Sequence, residues 1–209
     1  MRNSMRIGRL AVCVIVVAAV AAGESAAQSG QQIVTHKFFP LKPGTTFTYK
    51  SSDGKTTKVK VLDRTRRIQN HRSQRVETKE YEGGSLTEHF NDWYFQGEKG
   101  IVYYMKHTSA RSGESWEAGQ DGARKGTYLP ADPQVGDCWK RTRAPNAGRE
   151  GRDRACAYSL SDKTLKIKVD SYANLYPETV RFYYTKNVGL TTIKDKGETT
   201  TLNSVSGAR

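Results

Sequence analysis

The chain has 209 residues, of which 36% are hydrophobic, and it carries 34 Lys and Arg against 21 Asp and Glu, a formal net charge of +13. This length suffices for one domain with a substantial core and is too short for two comfortable ones. The positive charge favours anionic partners, but it is equally typical of a solvated surface, so charge alone does not define a binding site.

The N-terminal segment, residues 1–27, has the pattern of a secretory signal peptide. Arg2, Arg6 and Arg9 precede an uncharged apolar run from Leu10 to Ala22, and small residues follow at 25–27. The apolar run is shorter than the roughly 18 residues that a transmembrane helix requires. No later segment is apolar enough to span a membrane. We therefore expect an exported protein, periplasmic or secreted, whose mature chain starts near Gln28 and contains no membrane span.

Apolar residues in the first half of the mature chain recur mainly with period two, and turn dipeptides separate the runs, which indicates strands in hairpins. Phe47 and Tyr49 share one face of the first strand, and Val59 and Val61 share one face of the next. The predicted strands are Thr45–Lys50, Thr57–Leu62, Arg75–Tyr81, Leu86–Phe95 and Ile101–Lys106.

The second half begins with a Gly- and Ser-rich stretch, 108–126, which we expect to be a long ordered loop. Alternation is clearest at 165–169, where three apolar residues point inward and two lysines outward. The residues after 195 are polar and rich in Thr, and they predict a frayed tail. The predicted strands are Val135–Arg141, Ala155–Leu160, Leu165–Val169, Val180–Tyr184 and Leu190–Ile193.

These elements predict an all-β fold with little helix. Hairpins in series give a single-domain antiparallel meander, and we expect it to curl into an open barrel or sandwich so that few edges stay exposed. The predicted organisation is a signal peptide at 1–27, an N-terminal lead at 28–37, the β domain at 38–195 and a polar C-terminal tail at 196–209.

The mature chain contains two cysteines, Cys138 and Cys156. An exported protein meets an oxidising compartment, so a disulfide between them is the natural interpretation. A metal site would need more Cys or His nearby, and a Cys nucleophile would need a base that the sequence does not indicate.

Several short phrases follow one another along the mature chain: FFPLKPGTTFTY at 38–49, DWY at 92–94, WEAG and DGA at 116–123, VGD at 135–137 and NVGL at 187–190. Their order resembles a family of exported bacterial β-rich proteins of unknown function. The resemblance implies an extracytoplasmic, mostly antiparallel β domain, and it implies no activity, cofactor or catalytic residue. This chain departs from the family pattern between residues 136 and 158, where it has a basic run and both cysteines.

The strand Leu86–Phe95 mixes aromatic and polar side chains on both faces, whereas an ordinary half-buried strand would segregate them. Either the strand is covered on both sides, with its carboxylates paired to basic residues, or one face lines a cleft. The second interpretation predicts an aromatic cleft for an apolar or glycan-like molecule of the cell envelope. Its candidate residues are Trp93, Tyr94, Tyr103, Trp116, Asp92 and His89.

A hydrolase that uses Asp92 or His89 is the first alternative. Against it, Glu88 and Asp92 lie about 13 Å apart on one strand face, too far for a glycosidase pair. His89 points away from both carboxylates, and the sequence contains no nucleophile elbow, zinc-protease helix or phosphate-binding loop. The four histidines lack metal-ligand spacing. We therefore predict no catalytic residue, no metal and no cofactor, and favour a binding protein over an enzyme.

A polyanion site in the basic run between the cysteines is the second alternative, because arginine matches phosphate, sulfate and carboxylate with paired hydrogen bonds. No aromatic residue is interleaved for stacking on bases, so specific nucleic-acid binding is not expected. A merely solvated loop remains the simpler interpretation. The candidate residues are Arg141, Arg143, Arg149, Arg152 and Arg154.

Overall fold

A computed structural model describes residues 33–145, 153–171 and 178–207. The predicted signal peptide, together with Arg149 and Arg152, lies outside these residues. The described part of the chain is all strand and turn, as the sequence predicts, and it contains no helix long and apolar enough to cross a bilayer. The strands are β1 (Val34–His36), β2 (Phe39–Leu41), β3 (Thr46–Ser51), β4 (Thr56–Ile68), β5 (His71–Glu82), β6 (Ser85–Gln96), β7 (Val102–Ser109), β8 (Ser115–Glu117), β9 (Gly126–Leu129), β10 (Cys138–Lys140), β11 (Arg154–Leu160), β12 (Thr164–Ser171), β13 (Glu178–Thr185), β14 (Gly189–Asp195) and β15 (Glu198–Ser206).

The strands form one small and one large antiparallel sheet. β1 and β2 pair only with each other, and the large sheet has 13 strands in the order β10-β11-β12-β13-β14-β15-β3-β4-β5-β6-β7-β8, with β9 also paired to β7. The two ends of the large sheet approach each other without forming a ladder. The Trp139 indole N–H donates to the Tyr128 carbonyl oxygen at 3.3 Å, and the Arg124 N–H donates to the Arg143 carbonyl oxygen at 2.9 Å. The sheet is therefore curled but open, which confirms the predicted fold class.

Period-two patterning accounts for the strands that were predicted. In β12, Leu165 and Ile167 are fully buried, while Lys168 between Ile167 and Val169 is exposed. Burying an aliphatic side chain of this size stabilises the fold by about 1.5 to 3 kcal/mol. The predicted hairpin turn between β3 and β4 also forms, with Gly54 at a φ of 92° and its N–H donating to the Ser51 carbonyl oxygen at 3.0 Å. Glycine adopts this left-handed conformation without a Cβ penalty.

The structure corrects several sequence expectations. Residues expected to form a frayed polar tail instead form β15, which pairs with β14 on one side and β3 on the other. The lead before residue 38 contributes β1, and the expected loop at 108–126 contains β8. The strand predicted at 135–141 is only the three-residue β10. β15 has the sequence ETTTLNSVS, whose mostly polar, half-buried or exposed side chains carry too little hydrophobic contrast to mark a strand.

Two apolar clusters lie on opposite faces of the sheet. The inner cluster fills the concave side and includes Val61, Val76, Leu165 and Tyr184. The outer cluster consists of Ile68, Trp93, Phe95, Met105 and Ala118, with Tyr103 packed against it. In the β4–β5 ladder, the register shifts between Val61 and Thr65. Such a bulge bends the strand, and beyond it Ile68 packs against the outer cluster.

A disulfide joins Cys138 to Cys156, as predicted. The two residues are direct partners in the β10–β11 ladder, with their Cα atoms 4.1 Å apart. Because β10 has three residues and is an edge strand of the large sheet, few backbone hydrogen bonds hold it. The disulfide therefore supplies a covalent attachment where the ladder is weakest.

Candidate ligand-binding cavity

A cavity of ≈ 350 Å³ lies inside the curled sheet. Strands from both halves of the sheet contribute to its wall, because the sheet bends around it. Most of the lining is aromatic or aliphatic. The lining residues are Phe39, Pro40, Leu41, Phe47, Tyr49, Thr57, Val59, Val76, Thr78, Glu80, Phe90, Asp92, Tyr94, Tyr104, Tyr128, Arg141, Thr142, Asp153, Phe182, Gly189, Leu190, Ile193 and Thr200.

The β1–β2 hairpin plugs one end of the cavity. Its Phe39 ring contacts Tyr94 and Tyr128, with ring centroids 5.1 and 4.5 Å apart. Pro40 packs beside Gly189 of β14, where a Cβ on this glycine would lie in ordinary contact with the proline ring at 3.7 Å. Phe38 and Leu41 of the same hairpin region are almost fully buried. This end of the cavity is therefore closed by packed side chains.

Half-buried residues surround the opposite end. Thr57 pairs with Glu80 across the β4–β5 ladder, and Ile193 pairs with Thr200 across the β14–β15 ladder. All four line the cavity and are partly exposed. The cavity thus runs from a buried aromatic end to an end that is in contact with solvent.

The two faces of β6 separate the predicted ligand-binding residues. Asp92 and Tyr94 point inward and line the cavity. Trp93 lies on the outer face, where Arg75 and Lys106 stand 5.5 and 5.3 Å from its ring centroid. The alternation of the strand was predicted correctly, and both of its faces are covered.

The other two predicted aromatic residues do not join Tyr94 in one cleft. Tyr103 packs against the outer cluster beside Phe95, with ring centroids 6.0 Å apart. Trp116 belongs to the inner cluster and packs edge-on against Tyr104 at 4.8 Å. Trp93 is 7% exposed and Trp116 is 6% exposed, so both indoles are core residues. The expectation of a single cleft formed by these four aromatic residues is wrong, because the sheet sends them to two faces.

Asp92 forms a buried polar cluster with His107 and Tyr104. Its Oδ1 accepts from the Tyr104 hydroxyl at 2.5 Å and lies 2.8 Å from His107 Nδ1. Asp92 and His107 are 7% and 3% exposed. A buried carboxylate needs such partners to offset its desolvation. Sequence reasoning did not single out His107, although it is the direct partner of Asp92 in the β6–β7 ladder.

The hydrolase alternative used Asp92 or His89, and the two side chains lie on opposite faces of β6. His89 lies on the outer face, where its Nε2 is 3.0 Å from a Glu77 carboxylate oxygen. Asp92 faces inward to His107. Across residues 33–145, 153–171 and 178–207, no three His, Cys, Asp or Glu side chains converge to hold a metal ion.

The arginines of the polyanion alternative are not presented on one surface. Arg143 and Arg154 are exposed, whereas Arg141 is 8% exposed and lines the cavity. Its guanidinium lies 4.2 Å from the Tyr128 ring centroid and 4.6 Å from that of Phe182. Arg141 therefore cannot belong to a solvated loop site. Arg141 lies two residues after Trp139, which packs against the core. Residues two apart on a strand point to the same face, so this spacing could have predicted that Arg141 faces inward.

Burial governs the protonation of the cavity hydroxyls. It raises the pKa of Tyr94 well above its usual value, and the Asp92 charge acts in the same direction. Burial likewise raises the pKa of Tyr49, whose hydroxyl donates to the Leu190 carbonyl oxygen at 3.0 Å. Both tyrosines are therefore neutral hydrogen-bond donors in the neutral pH range.

No family model and no curated protein matches the chain. Two solved structures are similar to it at a low level. One is a candidate lipoprotein from Parabacteroides distasonis, with 13% identity, a TM-score of 0.40 and coverage of 82% of this chain and 99% of the other. The second is a candidate exported protein with a YmcC-like fold from Bacteroides fragilis, with 9% identity, a TM-score of 0.39 and the same two coverages. These likenesses are too distant to assign a function, and the family resemblance in the sequence stays a prediction.

Proposed function

We propose that the protein is an exported, non-enzymatic binding protein that holds a small, mostly apolar molecule of the cell envelope in the interior cavity. The observation that carries this proposal is the cavity of ≈ 350 Å³ with its largely aromatic and aliphatic wall. Ligand sites in proteins are typically clefts of about 300–1,000 Å³ with apolar walls and a few placed polar groups. The volume is at the small end of that range.

The polar groups of the wall favour an apolar ligand over a glycan. A glycan presents many hydroxyls, each of which loses water on binding and needs a new hydrogen-bond partner. Two of the polar groups that line the cavity, the Asp92 carboxylate and the Tyr49 hydroxyl, already make hydrogen bonds within the protein. Most of the remaining wall is aromatic or aliphatic and could not replace the hydrogen bonds that the many hydroxyls of a sugar make with water.

The proposal of export rests on the signal-peptide pattern of residues 1–27 and is supported by the Cys138–Cys156 disulfide. Structural disulfides form and persist in oxidising compartments and are rare in the cytosol. An envelope molecule is then the natural class of ligand, because it is what an exported protein meets.

Titration with N-phenyl-1-naphthylamine, a neutral fluorophore whose emission rises in apolar surroundings, tests the proposal. We expect saturable binding with a stoichiometry of one. The variant Thr200→Trp should abolish binding, because Thr200 lines the cavity at its solvent-contacting end and an indole there would fill it.

Thr201→Trp is the matched control, because Thr201 is the next residue of the same strand and is exposed. This variant should bind the fluorophore like the unmodified protein. Non-saturable binding, or equal binding by both tryptophan variants, would show that the cavity is not the site.

A further inference from the structure

We infer that the ligand is an amphiphile with a single carboxylate, which pairs with the guanidinium of Arg141 inside the cavity. This inference rests on the proposed function and names the chemical class of the ligand. It starts from the burial of Arg141, which is 8% exposed and contributes to the cavity wall.

The Arg141 guanidinium makes no salt bridge with a described residue, although the Asp153 carboxylate lines the same cavity and interacts with it electrostatically. It makes no side-chain hydrogen bond there, and no carboxylate oxygen lies within the 4.0 Å of a salt bridge. Only the backbone N–H of Arg141 is bonded, and it donates to the Asp153 carbonyl oxygen at 2.8 Å. The guanidinium lies over the Tyr128 and Phe182 rings, which are attractive to a cation but accept no conventional hydrogen bonds from its donors.

Arg141 keeps its positive charge inside the cavity, because arginine does not lose its proton in proteins. A buried charge without a partner costs several kcal/mol unless an opposite charge approaches it. A ligand carboxylate would provide that charge and accept two parallel hydrogen bonds from the guanidinium. The cavity therefore presents a buried guanidinium with unused hydrogen-bond donors, whose charge Asp153 offsets without a direct ion pair.

Three acidic side chains of the wall are consistent with this assignment. Asp92 is committed to Tyr104 and His107, as described above. Glu80 lies at the solvent-contacting end, where burial followed by the Glu88 charge raises its pKa. Asp153 acts electrostatically on Arg141 but has no carboxylate oxygen within salt-bridge distance of the guanidinium.

The single charge of Arg141 favours a carboxylate over a phosphate monoester. A monoester carries about 1.5 to 2 negative charges at neutral pH, so its second charge would enter an apolar cavity uncompensated. The apolar wall between Arg141 and the solvent-contacting end would hold a hydrocarbon chain. A fatty-acid-like molecule combines these two parts.

Displacement of bound N-phenyl-1-naphthylamine by decanoate, decanol and decyl phosphate at pH 8 tests the inference. These competitors share the chain length and differ only in the head group. We expect decanoate to compete at least about tenfold more strongly than decanol, as charge-assisted hydrogen bonds in a buried site allow. Arg141→Met should remove this preference while retaining fluorophore binding.

Arg143→Met is the matched control, because Arg143 is an exposed arginine two residues away and should not contribute to the preference. Arg141→Lys keeps the charge but loses the paired donors, so it should show a reduced preference. Should Arg141→Met fail to fold, the comparison of decanoate with decanol in the unmodified protein and in Arg141→Lys still decides the question.

The possible results distinguish the carboxylate head group of the ligand from the binding function of the cavity. Saturable fluorophore binding with equal competition by decanoate and decanol overturns the anionic ligand and leaves the proposed function standing. Stronger competition by decyl phosphate than by decanoate overturns the carboxylate assignment. Absence of saturable fluorophore binding overturns the proposed function, and the present inference falls with it.

Discussion

Removing the disulfide should destabilise the domain by an amount that follows from its position in the chain. Cys138 and Cys156 are 18 positions apart in the sequence. For a loop of this length, chain-entropy theory gives a loss of about 3 kcal/mol at 25 °C when the cross-link is removed. Packing should contribute little to the loss, because Cys138 is exposed and Cys156 is only half-buried.

The assay is urea unfolding of the double variant Cys138→Ala/Cys156→Ala, followed by far-ultraviolet circular dichroism. A loss of about 3 kcal/mol corresponds to a fall in melting temperature of roughly 6 to 12 °C for a domain of this size. Hydrogen exchange should accelerate first in β10, since that strand has only three residues and only β11 as its ladder partner.

Reduction of the unmodified protein with dithiothreitol is the control for the double variant. The two samples should lose the same free energy of unfolding, because both open the same loop. A loss below about 1 kcal/mol in both would refute the reasoning, since it would mean that the β10 segment is held by its packing and not by the cross-link.

Further predictions follow from other buried groups. Trp93→Ala and Trp116→Ala should each lower the free energy of unfolding by about 3 to 5 kcal/mol in chemical denaturation, because both indoles are core residues; a loss below about 1 kcal/mol would contradict this placement. Burial lowers the pKa of His36 below 6.5, and its Nε2 lies 2.9 Å from the Pro130 carbonyl oxygen. The unfolded state then binds more protons below pH 6.5, so stability should fall as the pH drops from 6.5 through the folded pKa, and His36→Gln should reduce this slope. Gly126→Ala should lower the free energy of unfolding by about 1 to 3 kcal/mol and weaken ligand binding, because the Cβ of the alanine would lie 2.0 Å from the Arg141 carbonyl oxygen. An unchanged melting temperature together with unchanged binding would refute this prediction. Mass spectrometry of exported protein should find an N-terminus near Gln28 and no free thiol, and two alkylatable cysteines would contradict the second part.

Local patterning predicts the strands of this protein wherever hydrophobic contrast is strong. In β12 the alternation of apolar residues with lysines fixes which side faces the core, and the structure confirms it. Contrast is weak in β15, where Thr and Ser occupy both faces, so its place in the sheet could not be predicted. Pairing with β3 and β14, which are distant in sequence, decides the conformation of this segment.

The candidate site was less predictable than the strands because it depends on how the sheet curls. Alternation in β6 placed Asp92 and Tyr94 on one face and Trp93 on the other, which is correct. The expected cleft nevertheless combined Tyr94 with Trp93, and period two does not allow neighbouring residues to share a face. The register shift between β6 and β7 beside Trp93 further changes which β7 residues face inward, and no local sequence signal marks it.

Composition alone did not predict that Arg141 is buried. It lies in a basic run, and charge runs are usually hydrated. The last residue of β10 is Lys140, and the backbone N–H of Arg141 bonds to Asp153, which turns this one arginine inward while Arg143 remains exposed. Individual side chains of a charged segment can therefore have opposite roles.

The position of β15 has a consequence for how the domain is synthesised and folded. Strands β3 to β8 form one run of neighbours and β10 to β14 another, and β15 lies between the two runs. Its ladder with β3 joins residues such as Thr200 and Ser51, which are far apart along the chain. A ribosome releases the N-terminal strands first, so β3 and β14 remain unpaired edges until β15 emerges. Open edges favour association with other chains, and the newly made polypeptide therefore needs protection from aggregation until its last strand is inserted.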